Sequence, residues 1–94
     1  MKYVQTDKAP QAIGPYSQAV SVNAMVYTSG QIALTPDGKM LENDITLQTH
    51  QVLKNLSAVL QEADSSLSGV VKTTIFLDSM DDFATVNEIY AKYF

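Results

Sequence analysis

The stretch DITLQTHQVLKNLSAVLQEA, residues 44–63, decides the fold. Counted at about 100° per residue from Ile45, the side chains of Thr49, Val52, Leu53, Leu56, Val59, Leu60 and Ala63 gather on one face, with His50, Lys54 and Gln61 opposite. This pattern predicts an amphipathic helix whose apolar stripe lies on a sheet. Asn43 or Asp44 can cap its start, and Asp64-Ser65-Ser66 with Gly69 supplies its exit.

Outward from the helix, the flanking segments read as sheet. Residues between Ser17 and Gly30 are apolar, small or β-branched, broken at Asn23-Ala24, which predicts a hairpin of Ser17–Val22 with Met25–Ser29. Leu34 to Met40 contains Pro36-Asp37-Gly38, a turn signature, because proline presets φ and glycine accepts positive φ. Val70-Val71-Lys72-Thr73-Thr74-Ile75-Phe76-Leu77 is dense in β-branched and aromatic residues and predicts a third strand. Ser79, three residues before Asp82, predicts the capped start of a second helix running to the end of the sequence. Its apolar face would gather Phe83, Val86, Tyr90, Tyr93 and Phe94, with Thr85, Glu88 and Lys92 on the wet side. The order strand, strand, helix, strand, helix makes an α+β domain over residues 1–94, with apolar surface and a strand edge left to cover.

Composition narrows the chemistry. Ninety-four residues with 46% hydrophobic content suit one domain with a thin core. The absence of cysteine excludes disulfides, a thiolate nucleophile and Cys-ligated zinc. No segment has the length and hydropathy of a signal peptide or of a membrane span, which points to a soluble, cytoplasmic protein. A net charge of −4 repels phosphate backbones, so nucleic acid is a disfavoured partner. There is no arginine, the usual bidentate clamp for carboxylates.

Among single residues, His50 reads as a solvated surface side chain with no metal partner beside it, and Asp81-Asp82 as helix N-terminal charges. No Gly-rich phosphate loop exists. Three places remain open between structure and site. Gly14-Pro15 fixes the backbone that presents Tyr16, either a strand-edge core tyrosine or a site phenol. Ser29-Gly30-Gln31 ends the second strand, either as a bulge or as an N–H and a hydroxyl facing a small ligand. Asn87 flanks the apolar face of the second helix, where its amide needs a structural hydrogen bond or a ligand.

Taken together, Ala9-Pro10, Ala12-Ile13-Gly14-Pro15-Tyr16-Ser17-Gln18-Ala19, Thr28-Ser29-Gly30-Gln31-Ile32, Val71–Leu77 and Met80–Asn87 with Tyr90 and Phe94 resemble the RidA (YjgF/YER057c/UK114) family. The resemblance is collinear over essentially the whole chain. It implies a chorismate-mutase-like α+β fold, a sheet with two helices on one face, homotrimers with a barrel-like core, and small-molecule pockets between subunits. The implied activity is imine and enamine deamination, hydrolysing 2-iminobutanoate, 2-iminopropanoate and related products of pyridoxal-phosphate enzymes to 2-keto acids and ammonia, with no metal or cofactor. Tyr16 would act in catalysis, and Ser29, Gly30 and Asn87 would bind substrate. The family continues beyond a Tyr-x-x-Phe helix end into two further strands, which carry an arginine for the substrate carboxylate and a glutamate that positions water. This sequence holds neither, so a C-terminally truncated chain is expected. Losing a charge-assisted contact of roughly 1.5–3 kcal/mol would depress turnover. The alternatives are a non-catalytic binding protein for small keto acids, and a translation inhibitor or ribonuclease. The net charge and the single histidine weaken the last.

Overall fold

The computed structural model describes residues 1–42 and 44–94. Strands β1 (Lys2–Val4), β2 (Ala19–Val22) and β3 (Met25–Thr28) form an antiparallel sheet in the order β1-β2-β3. Helices α1 (Ile45–Glu62) and α2 (Phe83–Tyr93) follow, with short 3₁₀ turns at Leu67–Gly69 and Met80–Asp82. The architecture is α+β, as the sequence predicts.

Register sorts the sheet into two faces. Val4 pairs with Ala19 and Ser21 with Val26, while Tyr3 pairs with Val20 and Val20 with Tyr27. Because side chains alternate, the first set shares one face and the second set the other. Val4, Ala19 and Val26 pack with Ala9, Val59, Ala58 and Ala63, so the inner face carries α1. Leu53 and Leu60 on α1 and Val86 and Ile89 on α2 are also buried, and the two helices touch. Tyr3 and Tyr27 stay 68% and 57% exposed, which leaves the outer face with uncovered aromatic surface.

The ends of α1 follow the residues available. Asp44 caps it, its Oδ1 accepting from the N–H groups of Thr46 (3.0 Å) and Leu47 (3.1 Å). Asn43, the other candidate, lies outside the described residues. At the far end Asp64 takes φ +60°, and Ser65 N–H donates to the Leu60 carbonyl while Asp64 N–H donates to that of Gln61. This is a Schellman exit with aspartate in the left-handed position that favours glycine. Gly38, by contrast, has φ +88° within the predicted Pro-Asp-Gly turn. There the Thr35 hydroxyl donates to Asp37 and holds its carboxyl below the usual carboxylate range.

Four expectations are corrected. The sequence reading missed β1, a three-residue strand with a single buried side chain and too short to show an alternation. Val70–Leu77, expected as a strand, runs without turn, bend or helix, and from Val71 onward its backbone makes no hydrogen bond among the described residues. β-Propensity supplies a strand's shape, but a ladder needs a neighbour. The second helix opens as a 3₁₀ turn capped by Ser79, and its buried residues are Val86 and Ile89, while Phe83 and Phe94 remain about half exposed. His50 is not solvated. It is half-buried, its Nδ1 lies 2.6 Å from the Tyr93 hydroxyl, and it ties α1 to α2.

The β2–β3 turn carries φ +51° at Asn23 and φ +65° at Ala24. Two successive left-handed residues suit the twist of a two-residue hairpin, but alanine there carries a steric cost of about 1 kcal/mol that glycine escapes. Ala24→Gly, and separately Asp64→Gly, should each raise the thermal midpoint by about 4–8 °C in a calorimetric scan.

Candidate functional site

The site begins with a buried amide. Gln18 precedes β2 and is 3% exposed. Its Oε1 accepts from Thr6 N–H at 2.6 Å, and its Nε2 donates to the carbonyls of Thr6 (3.1 Å) and Pro10 (2.8 Å). One side chain thereby replaces the backbone ladder that β1 would need to continue, and it fastens the loop after β1 to the start of β2. The Gln18 backbone works in the other direction, its carbonyl accepting from both the N–H (2.9 Å) and the hydroxyl (3.1 Å) of Ser29. Ser29 is held in place by the residue that secures the N-terminal loop.

Tyr16 sits two residues before that clasp. Its N–H donates to the Gly14 carbonyl at 2.8 Å, which closes a tight turn around Pro15. The ring lies back against Gly14, 3.4 Å from where a β-carbon would stand. The Gly14-Pro15 lead therefore sets the direction of the phenol. The ring is half exposed and forms one wall of an open cleft of about 610 Å³ on the outer face of the sheet. Tyr3, Val20 and Tyr27 make its floor, and Ser17, Thr28 and Ser29 close it. No charged side chain lines this cleft. It offers hydroxyls and apolar surface, suited to a small planar molecule whose charge is met elsewhere.

The sequence-derived candidates divide. Tyr16 and Ser29 meet in the cleft. Gly30 adjoins Ser29 but lies outside the cleft lining, has open space where a side chain would go and carries no positive φ, so neither a bulge nor a close approach requires glycine there. Asn87 is exposed on α2, makes no side-chain hydrogen bond among the described residues and is not brought to Tyr16. Its amide is solvated, contrary to the expectation that it needs a partner. Sequence reasoning does not single out Gln18, Tyr3 or Tyr27; the available signal for Gln18 is a long amide set directly before the apolar start of β2.

A second buried amide supports the segment beyond Ser29. Asn55 is fully buried on α1, and its Nδ2 donates to the carbonyls of Leu34 (2.8 Å) and Ile32 (3.3 Å) while its Oδ1 accepts from Gln51. It pins the chain leaving β3 across the helix.

The model of the Endoribonuclease L-PSP family matches residues 6–94. The chain belongs to that family, the RidA family of the sequence resemblance. It is 49% identical over 94 residues to the mouse protein named 2-iminobutanoate/2-iminopropanoate deaminase, covering 99% of this chain and 70% of that one. With Reactive Intermediate Deaminase A, chloroplastic, of Arabidopsis thaliana it shares 52% identity over 92 residues, covering 97% of this chain and 49% of the plant protein. Among solved structures, the Rid family protein YyfA from Yersinia pestis superposes with a TM-score of 0.97 at 51% identity, over 99% of this chain and 75% of that one. E. coli TdcF with bound serine superposes with a TM-score of 0.95 at 40% identity, over 100% of this chain and 74% of that one. This RidA-family chain spans about three quarters of the length of both solved relatives.

Replacing Gln18 by alanine leaves the Thr6 N–H buried without its partner, at about 1–3 kcal/mol, while the Thr6 carbonyl keeps its bond from the Gln11 amide (3.2 Å). Gln18→Ala should lower urea-unfolding stability by on the order of 2–3 kcal/mol and speed amide exchange at Thr6 and Ser29, whereas an unchanged midpoint would remove the clasp from the fold's energetics.

Proposed function

We propose that this RidA-family chain carries the substrate cleft of an imine/enamine deaminase. In this reading a 2-imino acid lies on the outer face of the sheet. Water adds to its imine carbon, the carbon–nitrogen bond breaks, and a 2-keto acid and ammonia leave. Tyr16 contacts the reacting group and exchanges a proton with it, and the Ser29 hydroxyl orients the substrate. No residue is asked to supply a covalent nucleophile. The supporting observation is the cleft lined by both Tyr16 and Ser29, in a chain 49% identical to a protein named for this reaction.

The reading includes homotrimers acting in the cytoplasm. Tyr3, Val20 and Tyr27 form an apolar outer face that further copies would cover, turning the open cleft into an inter-subunit pocket. Asn87 and Gly30 belong to the pocket only if a neighbouring copy or further chain approaches them. The carboxylate clamp is assigned to further sequence of the kind the resemblance implies. Binding of a keto acid without turnover is the second reading, favoured by a cleft with no cationic side chain.

Two measurements test this. Ammonia release from 2-aminoacrylate generated in situ should exceed the uncatalysed rate and fall by about tenfold or more in Tyr16→Phe, while an undiminished rate would take Tyr16 out of the reaction. Native mass spectrometry should show three equal subunits, and Tyr27→Lys should disperse them, while a monomer that releases ammonia would separate the chemistry from the assembly.

A further inference from the structure

Both hydrogens that Ser29 can donate are already spent. Its hydroxyl donates to the Gln18 carbonyl at 3.1 Å, and its N–H donates to the same oxygen at 2.9 Å. That carbonyl is not free to turn away. The Gln18 side chain is buried and bonded to Thr6 and Pro10, and the next residue, Ala19, is in register with Thr28 in the β2–β3 ladder, so the peptide between them is fixed.

The consequence is a polarity. A serine hydroxyl has one hydrogen and two lone pairs, and with the hydrogen committed, Ser29 Oγ meets a ligand as an acceptor. Gln31 Nε2 lies 3.4 Å from the same oxygen as a donor, which leaves one lone pair open. Tyr16 has the opposite sense. Its oxygen accepts from the Ile13 N–H at 3.5 Å, and its own hydrogen has no acceptor among the described residues, so the phenol is free to donate. The cleft that Tyr16 and Ser29 both line therefore has one donating and one accepting hydroxyl.

We infer that Ser29 is the residue that selects nitrogen over oxygen in this cleft, accepting a hydrogen bond from the N–H of a primary imine or enamine and having no hydrogen to offer a keto oxygen. The choice of substrate rests on the deaminase reading. A 2-imino acid and its 2-keto acid share carbon skeleton and carboxylate and differ at one atom. At that atom Ser29 Oγ meets a hydrogen in the imine and a second lone pair in the ketone. Turning the hydroxyl toward a keto oxygen means giving up the Gln18 bond, so the two forms differ by one net hydrogen bond, roughly three- to tenfold in affinity. The keto product is held less tightly than the imine it came from, and an imine whose nitrogen bears an alkyl group instead of hydrogen is rejected on the same ground.

The test titrates the whole 94-residue chain with oxamate and with pyruvate, planar monoanions of matched size in which an NH₂ group replaces a methyl, and follows the backbone amide at position 29 by two-dimensional NMR. Oxamate should bind roughly three- to tenfold more tightly. In Ser29→Ala, at unchanged circular dichroism, oxamate should weaken to the level of pyruvate while pyruvate binding stays as it was, a split that general loss of structure would not produce. Equal affinities in the unsubstituted chain would overturn the inference, as would a preference for oxamate that survives Ser29→Ala, or no shift at position 29 with either compound. Equal affinities in a chain that releases ammonia would overturn it and leave the deaminase reading standing. A Ser29-dependent preference for oxamate in a chain that releases no ammonia would uphold it and remove the turnover.

Discussion

The carboxamide of Gln18 is the interaction on which the rest of this small structure depends. A three-residue β1 cannot hold the N-terminal segment by its ladder alone, and Ala9 contributes little surface to the inner core. The amide closes that gap by accepting from Thr6 and donating to Thr6 and Pro10, and the two bonds to Thr6 lie in a buried setting where each replaces a desolvation penalty. Its own backbone carbonyl holds Ser29. Fold and cleft therefore share one anchor, and the loop that presents Tyr16 is bounded on its C-terminal side by it.

Asn55 and His50 repeat the arrangement on the helices. Both replace apolar contact with polar contact at places where α1 meets something other than the sheet. Asn55 meets the chain leaving β3 at the carbonyls of Ile32 and Leu34. His50 meets the Tyr93 hydroxyl of α2. A thin domain has few large side chains with which to fix the relative position of its parts, and directional bonds from buried amides and an imidazole supply that registration.

What the sequence disclosed follows from how local each signal is. The α1 stripe and the Asn23-Ala24 turn are written within a few consecutive residues, and both appear where the pattern put them. Asn55 adjoins Val59 on the helical wheel, yet a wheel drawn by hydrophobicity alone assigns an amide to water. The wheel likewise assigns His50 to water, because it takes no account of a second helix docking on the flank of the first. Val71–Leu77 has every local mark of a strand and no ladder, since pairing is a property of two segments. The Tyr16 direction was legible in Gly14-Pro15, while the convergence of Tyr3, Tyr16 and Tyr27 required the register of three strands. Gly30 and Asn87 are open on local grounds between structure and site and become site residues only through the resemblance, and the fold of this chain leaves both away from the Tyr16 cleft.

The unladdered segment has a colloidal consequence. VVKTTIFL combines β-branched and aromatic residues, no proline and exposed Val71 and Phe76 side chains, the composition from which cross-β fibrils grow. Lys72 interrupts it. Stacked in register at about 4.8 Å, the ammonium groups of successive copies would repel one another, so a single lysine acts as a gatekeeper against fibre growth. Salt that screens this repulsion, or acetylation that removes the charge, shifts the balance from dispersed protein toward insoluble stacks.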